Sequence, residues 1–334
     1  MRKELLYAIL AGGVLGLVIA FGIWRVNSSI STSNKTVVQV SPTPSVQNGF
    51  AVTISKLQNN DVITENPIIV TGLTKGSSMM AVSTSDKDSL IDANAEGVFE
   101  KEMTLSGGLN RITFTAIDET GNQAEAKLNL VFSSEFPLQT VAPKEETKES
   151  TDGAETIKEK VEKKVEEVLN QPKAYIGTVT DITDSTIQLK NESGEIQQVG
   201  TSEETTYLKM GKTTTTIKAT DVAIGDYLIA MGYTNGNHVL KAKRILVAQV
   251  LVDPNIKVVL ANITEIGKKD ITARAVKDGK DYKLTITANT LLNKKADGKI
   301  TKIKLLDLEN EDRVIIFFKD SQTAPEARTV FVLK

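Results

Sequence analysis

Leu5 to Trp24 (LLYAILAGGVLGLVIAFGIW) is an uncharged apolar run, and no other stretch of the chain repeats its pattern. A helix rising about 1.5 Å per residue needs about 20 such residues to cross a hydrocarbon core about 30 Å thick. Residues 1–25 are therefore expected to be a cytoplasmic tip and a transmembrane anchor. Arg2 and Lys3 precede the run, and only Arg25 and a Ser/Thr-rich stretch follow it. This charge bias predicts a single-pass plasma-membrane protein with a cytoplasmic N-terminus and extracytoplasmic C-terminal domains. A cleaved signal peptide is the rival reading, but its apolar core is usually about 7–15 residues long. Ala20-Phe21-Gly22, the nearest approach to a cleavage site, lies inside the run.

Beyond the run the pattern changes three times. Residues 26–49 are rich in Ser, Thr, Asn and Pro and read as a tether, with too little clustered hydrophobicity to offset the entropy of ordering. Residues 50–133 carry six or seven short strand signals separated by turns, including the alternating Phe50–Ile54, the β-branched Pro67–Thr71, and Ile112, Phe114 and Ala116 on one face. That spacing predicts a β-sandwich. Residues 134–173 shift abruptly to Glu and Lys. Asp152 and Glu155 make a start resembling a capping box, Glu159 and Lys163 are an i,i+4 pair, and Pro172 closes the segment, which predicts a linker with a solvated helix. Ile157, Val161, Val165 and Val168 form a stripe too short for a sustained coiled coil.

The remainder is an internal duplication. Gly177–Ile182 matches Ala261–Ile266, Ile217-Lys218 and Asp221-Val222 match Ile303-Lys304 and Asp307-Leu308, Gly225–Ile229 matches Glu311–Ile315, and Ala242–Val247 matches Ala327–Val332. The blocks keep one order at offsets of 84 to 86 residues. Each unit, 174–250 and 251–334, has about five or six strand-length runs with period-two alternation, the pattern of a small barrel. The expected fold class is thus mainly β: an N-terminal transmembrane helix, a β-sandwich, a helical linker and two tandem small barrel units resembling oligonucleotide-binding (OB) barrels.

Two resemblances refine this. Gly97, Phe99, Leu105, Gly108, Asn110, Asp118, Gly121 and Asn122 carry a pattern that resembles bacterial immunoglobulin-like (Ig-like) modules, including the glucodextranase-type accessory domain. The resemblance implies an Ig-like sandwich acting as a spacer, adhesion unit or accessory domain. Gly177, Val179, Ile182, Ile187, Leu189, Ile224, Gly225 and Asp226 are similar to a small bacterial β-barrel domain of unknown function. The second unit departs from that pattern, with Ala261 and Glu311 at the two glycine positions, so either the turns have changed type or the copy has diverged in use.

Composition narrows the chemistry. The chain has 334 residues, a net charge of −2, no cysteine and one histidine. It can form no disulfide, thiolate nucleophile or Cys-ligated metal site, and one chain cannot assemble a His-based triad or a multi-histidine centre. His238 sits in an Asn235–His238 hairpin turn. Thr84–Lys87 has Thr where a Ser-Lys dyad needs its nucleophile, and no carboxylate pair stands out. Asp118 has two readings, a calcium ligand on a sandwich loop or a turn held by Asp and Asn side chains. Residues 251–334 hold 16 Lys/Arg against 12 Asp/Glu, whereas 174–250 hold 7 against 8. Aromatic residues are sparse, and by alternation one of Phe317 and Phe318 faces inward, so nucleic acid is disfavoured as a partner.

No catalytic, cofactor-binding or metal-binding residue is therefore assigned, and no cofactor is expected. The expected function is a membrane-anchored, non-enzymatic cell-envelope protein. Its partners would be the lipid bilayer, through the N-terminal run, and an envelope protein or a glycan. The alternatives are an accessory subunit of an envelope enzyme or export complex, a polysaccharide-processing enzyme, and a single-strand nucleic-acid binder.

Overall fold

Alternation of apolar and polar residues builds the first module as two facing layers. The computed structural model describes residues 50–137 and 171–334, apart from 212, 236, 252, 254, 297 and 320–324. Strands β1 (Thr53–Ser55), β3 (Ile68–Leu73) and β6 (Val98–Met103) form a three-stranded antiparallel sheet in the order β1-β3-β6. Facing it run β5 (Asp88–Asp92), β4 (Met79–Ser83), β7 (Gly108–Ile117), β8 (Gln123–Phe132) and β2 (Asp61–Ile63), neighbours in that order. Val70 and Phe99 from one layer meet Met80, Val82, Ile112, Phe114, Leu128 and Leu130 from the other in one buried cluster. The rings of Phe99 and Phe114 lie 5.9 Å apart.

The two repeats correspond element for element. The first holds β9 (Lys173–Ile182), β10 (Thr186–Lys190), β11 (Ile196–Gly200), β12 (Thr206–Lys209), β13 (Thr215–Thr216), the 3-10 turn η1 (Ala219–Asp221), β14 (Tyr227–Thr234) and β15 (Val239–Ala248). The second holds β16 (Ile256–Ile266), β17 (Asp270–Ala275), β18 (Asp281–Thr285), β19 (Leu291–Ala296), β20 (Lys299–Lys302), η2 (Leu305–Asp307), β21 (Arg313–Lys319) and β22 (Glu326–Leu333). In each, the first, second, third, last and next-to-last strands pair in a closed cycle, with the third parallel to the last.

Small polar contacts are duplicated too. The Lys218 N–H donates to Asp221 Oδ2 and the Lys304 N–H to Asp307 Oδ2, both at 2.8 Å. The Thr205 and Thr290 hydroxyls donate to Ala242 O and Ala327 O at 2.9 and 2.7 Å. The glycine exchange leaves the turn unchanged: Gly225 has φ +95° and Glu311 has φ +69°, both left-handed.

The expected fold class needs correction. Among the described residues there is no α-helix, and none long and apolar enough to cross a membrane. The expected transmembrane anchor at 1–25, the tether at 26–49 and the linker helix lie outside the described residues. The linker's described ends belong to the β structure, since Phe136 is buried in a core and Lys173 already opens β9. The sandwich and the first barrel are not separate bodies either. Asp61 of β2 pairs with Lys173 of β9, so a single twelve-stranded sheet runs from the sandwich into the first repeat, beside a three-stranded and a seven-stranded sheet.

Strands buried on both faces explain why the modules join. In β14, Leu228 and Ala230 face their own repeat's core while Tyr227, Ile229, Met231 and Tyr233 join a second cluster with Val62, Leu109, Val131 and Phe136. In β21, Val314, Ile316 and Phe318 face inward while Ile315 and Phe317 join Ala81, Leu90 and Ile117 of the sandwich. Ile229 and Ile315, Met231 and Phe317, Ile176 and Leu260, and Leu246 and Phe331 are equivalent positions of the duplication. Both repeats therefore dock on the sandwich through the same outer face, one against each of two different sandwich surfaces. Phe317 and Phe318 are both buried, and neither offers aromatic surface.

Each junction holds one buried sandwich aspartate. Asp61 accepts Lys173 Nζ at 2.5 Å and the Gln58 N–H at 2.7 Å. Asp88, whose side chain is fully buried, pairs with Arg328 at 2.8 Å and accepts the Ser83 and Thr329 hydroxyls at 2.9 and 2.8 Å. Arg328 also donates to Thr84 O at 2.7 Å. Burial pushes the Asp88 carboxyl above its ordinary value, against the pull of Arg328 and the two hydroxyls. Such a pair does more for register than for net stability, because desolvation offsets much of its attraction.

Left-handed backbone costs a non-glycine residue about 1–2 kcal/mol, part of which glycine returns through unfolded-chain entropy. In urea unfolding, Glu311→Gly is expected to stabilise the protein by about 0.5–1 kcal/mol and Gly225→Ala to destabilise it by a similar amount. A destabilising Glu311→Gly would mean that the Glu311 side chain contributes more than its strained backbone costs.

Candidate functional site

The outward face of β7 and β8 is polar by alternation. Ile112, Phe114 and Ala116 point into the sandwich, which leaves Arg111, Thr113 and Thr115 of β7 beside Asn129, Lys127, Glu125 and Gln123 of β8 on the other side. Repeat 2 docks past the end of this strand pair and turns the polar face into the floor of a cleft of about 420 Å³. Ile256, Val258, Lys277 and Tyr282 contribute to its wall. The Gln123 side-chain amide donates to Val258 O at 3.0 Å and ties floor to wall. This volume falls within the range of about 300–1,000 Å³ for small-ligand sites.

The cleft's electrostatics are mixed. Four cationic side chains (Arg111, Lys127, Lys257, Lys277) and three anionic ones (Glu125, Asp253, Asp278) line it, interleaved with Thr, Asn and Gln. Lys127 lies 3.7 Å from Glu125 and 3.6 Å from Asp253. Arg111 is paired with Glu192 of the first repeat, while its Nε is buried without a partner among the described residues. Such a lining offers many donors and acceptors spread along an extended floor, suited to a polar ligand of low net charge.

The residues singled out in the sequence lie elsewhere. Asp118 holds a turn: its Oδ1 accepts the Thr120 N–H (3.0 Å), the Thr120 hydroxyl (2.7 Å) and the Asn122 N–H (2.9 Å). Its Oδ2 accepts Lys75 Nζ at 3.0 Å and the Asn122 amide at 3.3 Å. These donors outweigh burial and hold the carboxyl well below the ordinary carboxylate range. A carboxylate engaged by five donors, one of them an ammonium, suits the turn reading. His238 is exposed in its hairpin at φ +57°, and its carbonyl accepts the Tyr175 hydroxyl at 2.8 Å. Among the described residues no group of three or more His, Cys, Asp and Glu side chains is placed to hold a metal ion.

No protein-family model matches the chain, and no curated protein matches it. Among solved structures, the chain is similar at 15% identity and a TM-score of 0.15 to a multidomain protein with nucleic acid binding domains from Streptococcus pneumoniae, over 46% of this chain and 44% of that one. The match thus spans less than half of that protein. A Ca2+-stabilized adhesin that helps an Antarctic bacterium bind ice is matched at 13% identity and a TM-score of 0.19, over 85% of this chain and 74% of that chain. A tetra-tandem repeat in the extending region of a large adhesion protein is matched at 11% identity and 0.21, with the same coverage. At these TM-scores the likenesses carry no argument about fold or function.

The Asp118 turn makes a stability contribution of known sign. Its folded-state carboxyl is depressed, so the contribution is present above the ordinary value of 3.8 and is lost as pH falls below it. Asp118→Ala is expected to cost about 1–3 kcal/mol at pH 7. In urea titrations the gap between wild type and variant should narrow as pH drops below 3.8; a gap that stayed constant or widened would overturn this account.

Proposed function

We propose that this chain is a non-enzymatic binding and display protein of the cell envelope, held at the plasma membrane by the Leu5–Trp24 run, with its β modules extracytoplasmic. The observation that carries the reading is the polar cleft between the β7–β8 face and the second repeat. Its floor is rigid because it is one layer of a packed sandwich, and its wall is fixed through the Asp88–Arg328 junction. A preformed cleft of this kind binds without paying to order loops. The Ig-like pattern from Gly97 to Asn122 supports a display role, and the partner that suits the lining is an extended envelope protein segment or a glycan.

A second reading, an accessory subunit of an envelope enzyme or export complex, is favoured by one feature. The outer face of the three-stranded sheet exposes Ile69, Leu73 and Val98, with Leu73 and Val98 directly opposite each other across strands. Exposed apolar side chains grouped on one face suit a protein contact. This reading predicts one dominant membrane complex after mild solubilisation.

The cleft is tested by filling it. Thr113→Trp places a large side chain on the floor, and Lys127→Glu alters its charge. Each is expected to weaken binding of the detergent-solubilised full-length protein to its own lipid-extracted envelope fraction by at least about tenfold, with the melting temperature within a few degrees of wild type. Unchanged binding in both variants would remove the cleft from the function, and turnover of a polysaccharide by the purified protein would replace binding with catalysis.

A further inference from the structure

Equivalent positions of the two repeats differ most informatively along one edge. In repeat 1 the segment containing β13 and η1 is dominated by threonine: Thr213, Thr214, Thr216 and Thr220, all exposed. The β12/β19 and η1/η2 correspondences place Lys299, Ile300, Lys302 and Leu306 at those positions in repeat 2. Thr206 of β12 likewise becomes Leu291 of β19, through the matching registers Thr206↔Arg244 and Leu291↔Thr329. The backbone follows the same course in both copies, and Thr301 keeps the hydroxyl of Thr215, yet the other four threonines of this segment have been exchanged for two lysines, an isoleucine and a leucine.

The exchanged side chains are left in water. Leu306 is 93% exposed, Ile300 46% and Leu291 44%. Strand β20 is the terminal strand of the seven-stranded sheet, and the Ile303 N–H donating to Leu292 O at 3.0 Å keeps the β20–η2 segment alongside β19. Lys299, Lys302 and Lys304 make no ion pair among the described residues, whereas neighbouring Lys295 is taken by Asp92 of the sandwich. Folding does not account for Lys299, Ile300, Lys302 and Leu306, since repeat 1 folds the same way with threonine at those positions, whereas Lys304 answers Lys218 and is common to both copies.

We propose that the β19–β20–η2 edge of repeat 2 is a membrane-surface contact that takes anionic phospholipid headgroups, the lysines lying at the phosphates and Leu306 and Ile300 entering the acyl boundary. Interleaved lysine and aliphatic side chains suit an interface that is charged outside and apolar beneath. A nucleic-acid surface is the poorer fit, because no exposed aromatic or arginine accompanies the lysines. Each lysine near an anionic surface is worth about fivefold in partitioning. The inference rests on the membrane-anchored reading of the Leu5–Trp24 run.

The absence of cysteine makes the test direct. Full-length Leu306→Cys, labelled with an environment-sensitive fluorophore, is mixed with phosphatidylcholine vesicles or with vesicles containing one-quarter phosphatidylglycerol, and Thr220→Cys is the matched control. Emission at 306 is expected to shift to the blue, and to be quenched by bilayer-embedded quenchers, only with the anionic vesicles. Position 220 should stay in water. Lys299→Glu with Lys302→Glu should weaken the response at least about 25-fold, and raising salt to 1 M should abolish it. A probe at 306 that stays in water while the protein floats with anionic vesicles overturns the inference and leaves the membrane reading standing. Insertion at 306 by a protein that does not float with neutral vesicles supports the inference and overturns the anchor. A response to soluble heparin without one to vesicles overturns the inference in favour of a soluble polyanion.

Discussion

Each repeat has an apolar outer face that its own strand cycle cannot cover. Ile176, Ile229, Met231 and Leu246 form it in the first copy, and Leu260, Ile315, Phe317 and Phe331 in the second. Burying one such side chain contributes about 1.5–3 kcal/mol, so leaving either face in water would be costly. The sandwich supplies both covers, through Val62, Leu109 and Val131 on one side and Ala81, Leu90 and Ile117 on the other. Two copies of one docking surface thus hold a single central module between them.

Apolar burial alone would tolerate sliding, and the polar contacts supply register. Asp88 is fully buried between Arg328, Thr329 and Ser83, and Asp61 lies against Lys173. Displacing either repeat would leave a buried carboxylate without its cationic partner, with only the Gln58 N–H or the Ser83 hydroxyl still donating to it, which is far more costly than the net worth of the pair. Register at the second junction matters for the candidate site, because the cleft exists only where the wall of repeat 2 stands over the β7–β8 floor. Its polarity then follows from period-two alternation in the sandwich strands.

Much of the local structure was legible. Alternation marked the sandwich strands, and the paired blocks around Gly225-Asp226 and Glu311-Asp312 exposed the duplication. Glu311 shows that the turn geometry outlasted the glycine that favours it. The junctions were harder to see. Leu228–Met231 and Val314–Phe318 are continuous apolar runs, the mark of strands buried on both faces, yet they read as ordinary alternating strands when each repeat is taken as a closed body. The partners of those faces lie far away in sequence: Thr329 and Asp88 are 241 positions apart, with no local signal for either. The cleft was invisible for the same reason, because Thr113 and Thr115 look like solvent-facing strand positions until the docking of repeat 2 is known.

The central claim is that sandwich and repeats form one cooperative body whose junctions build the cleft. Native-state hydrogen exchange of the full chain across a low denaturant series tests it most directly, by comparing β7 of the sandwich with β14 and β21 of the repeats. The account predicts that these strands share one opening free energy and lose protection together. Separate openings, with β21 exchanging while β7 stays protected, would contradict it.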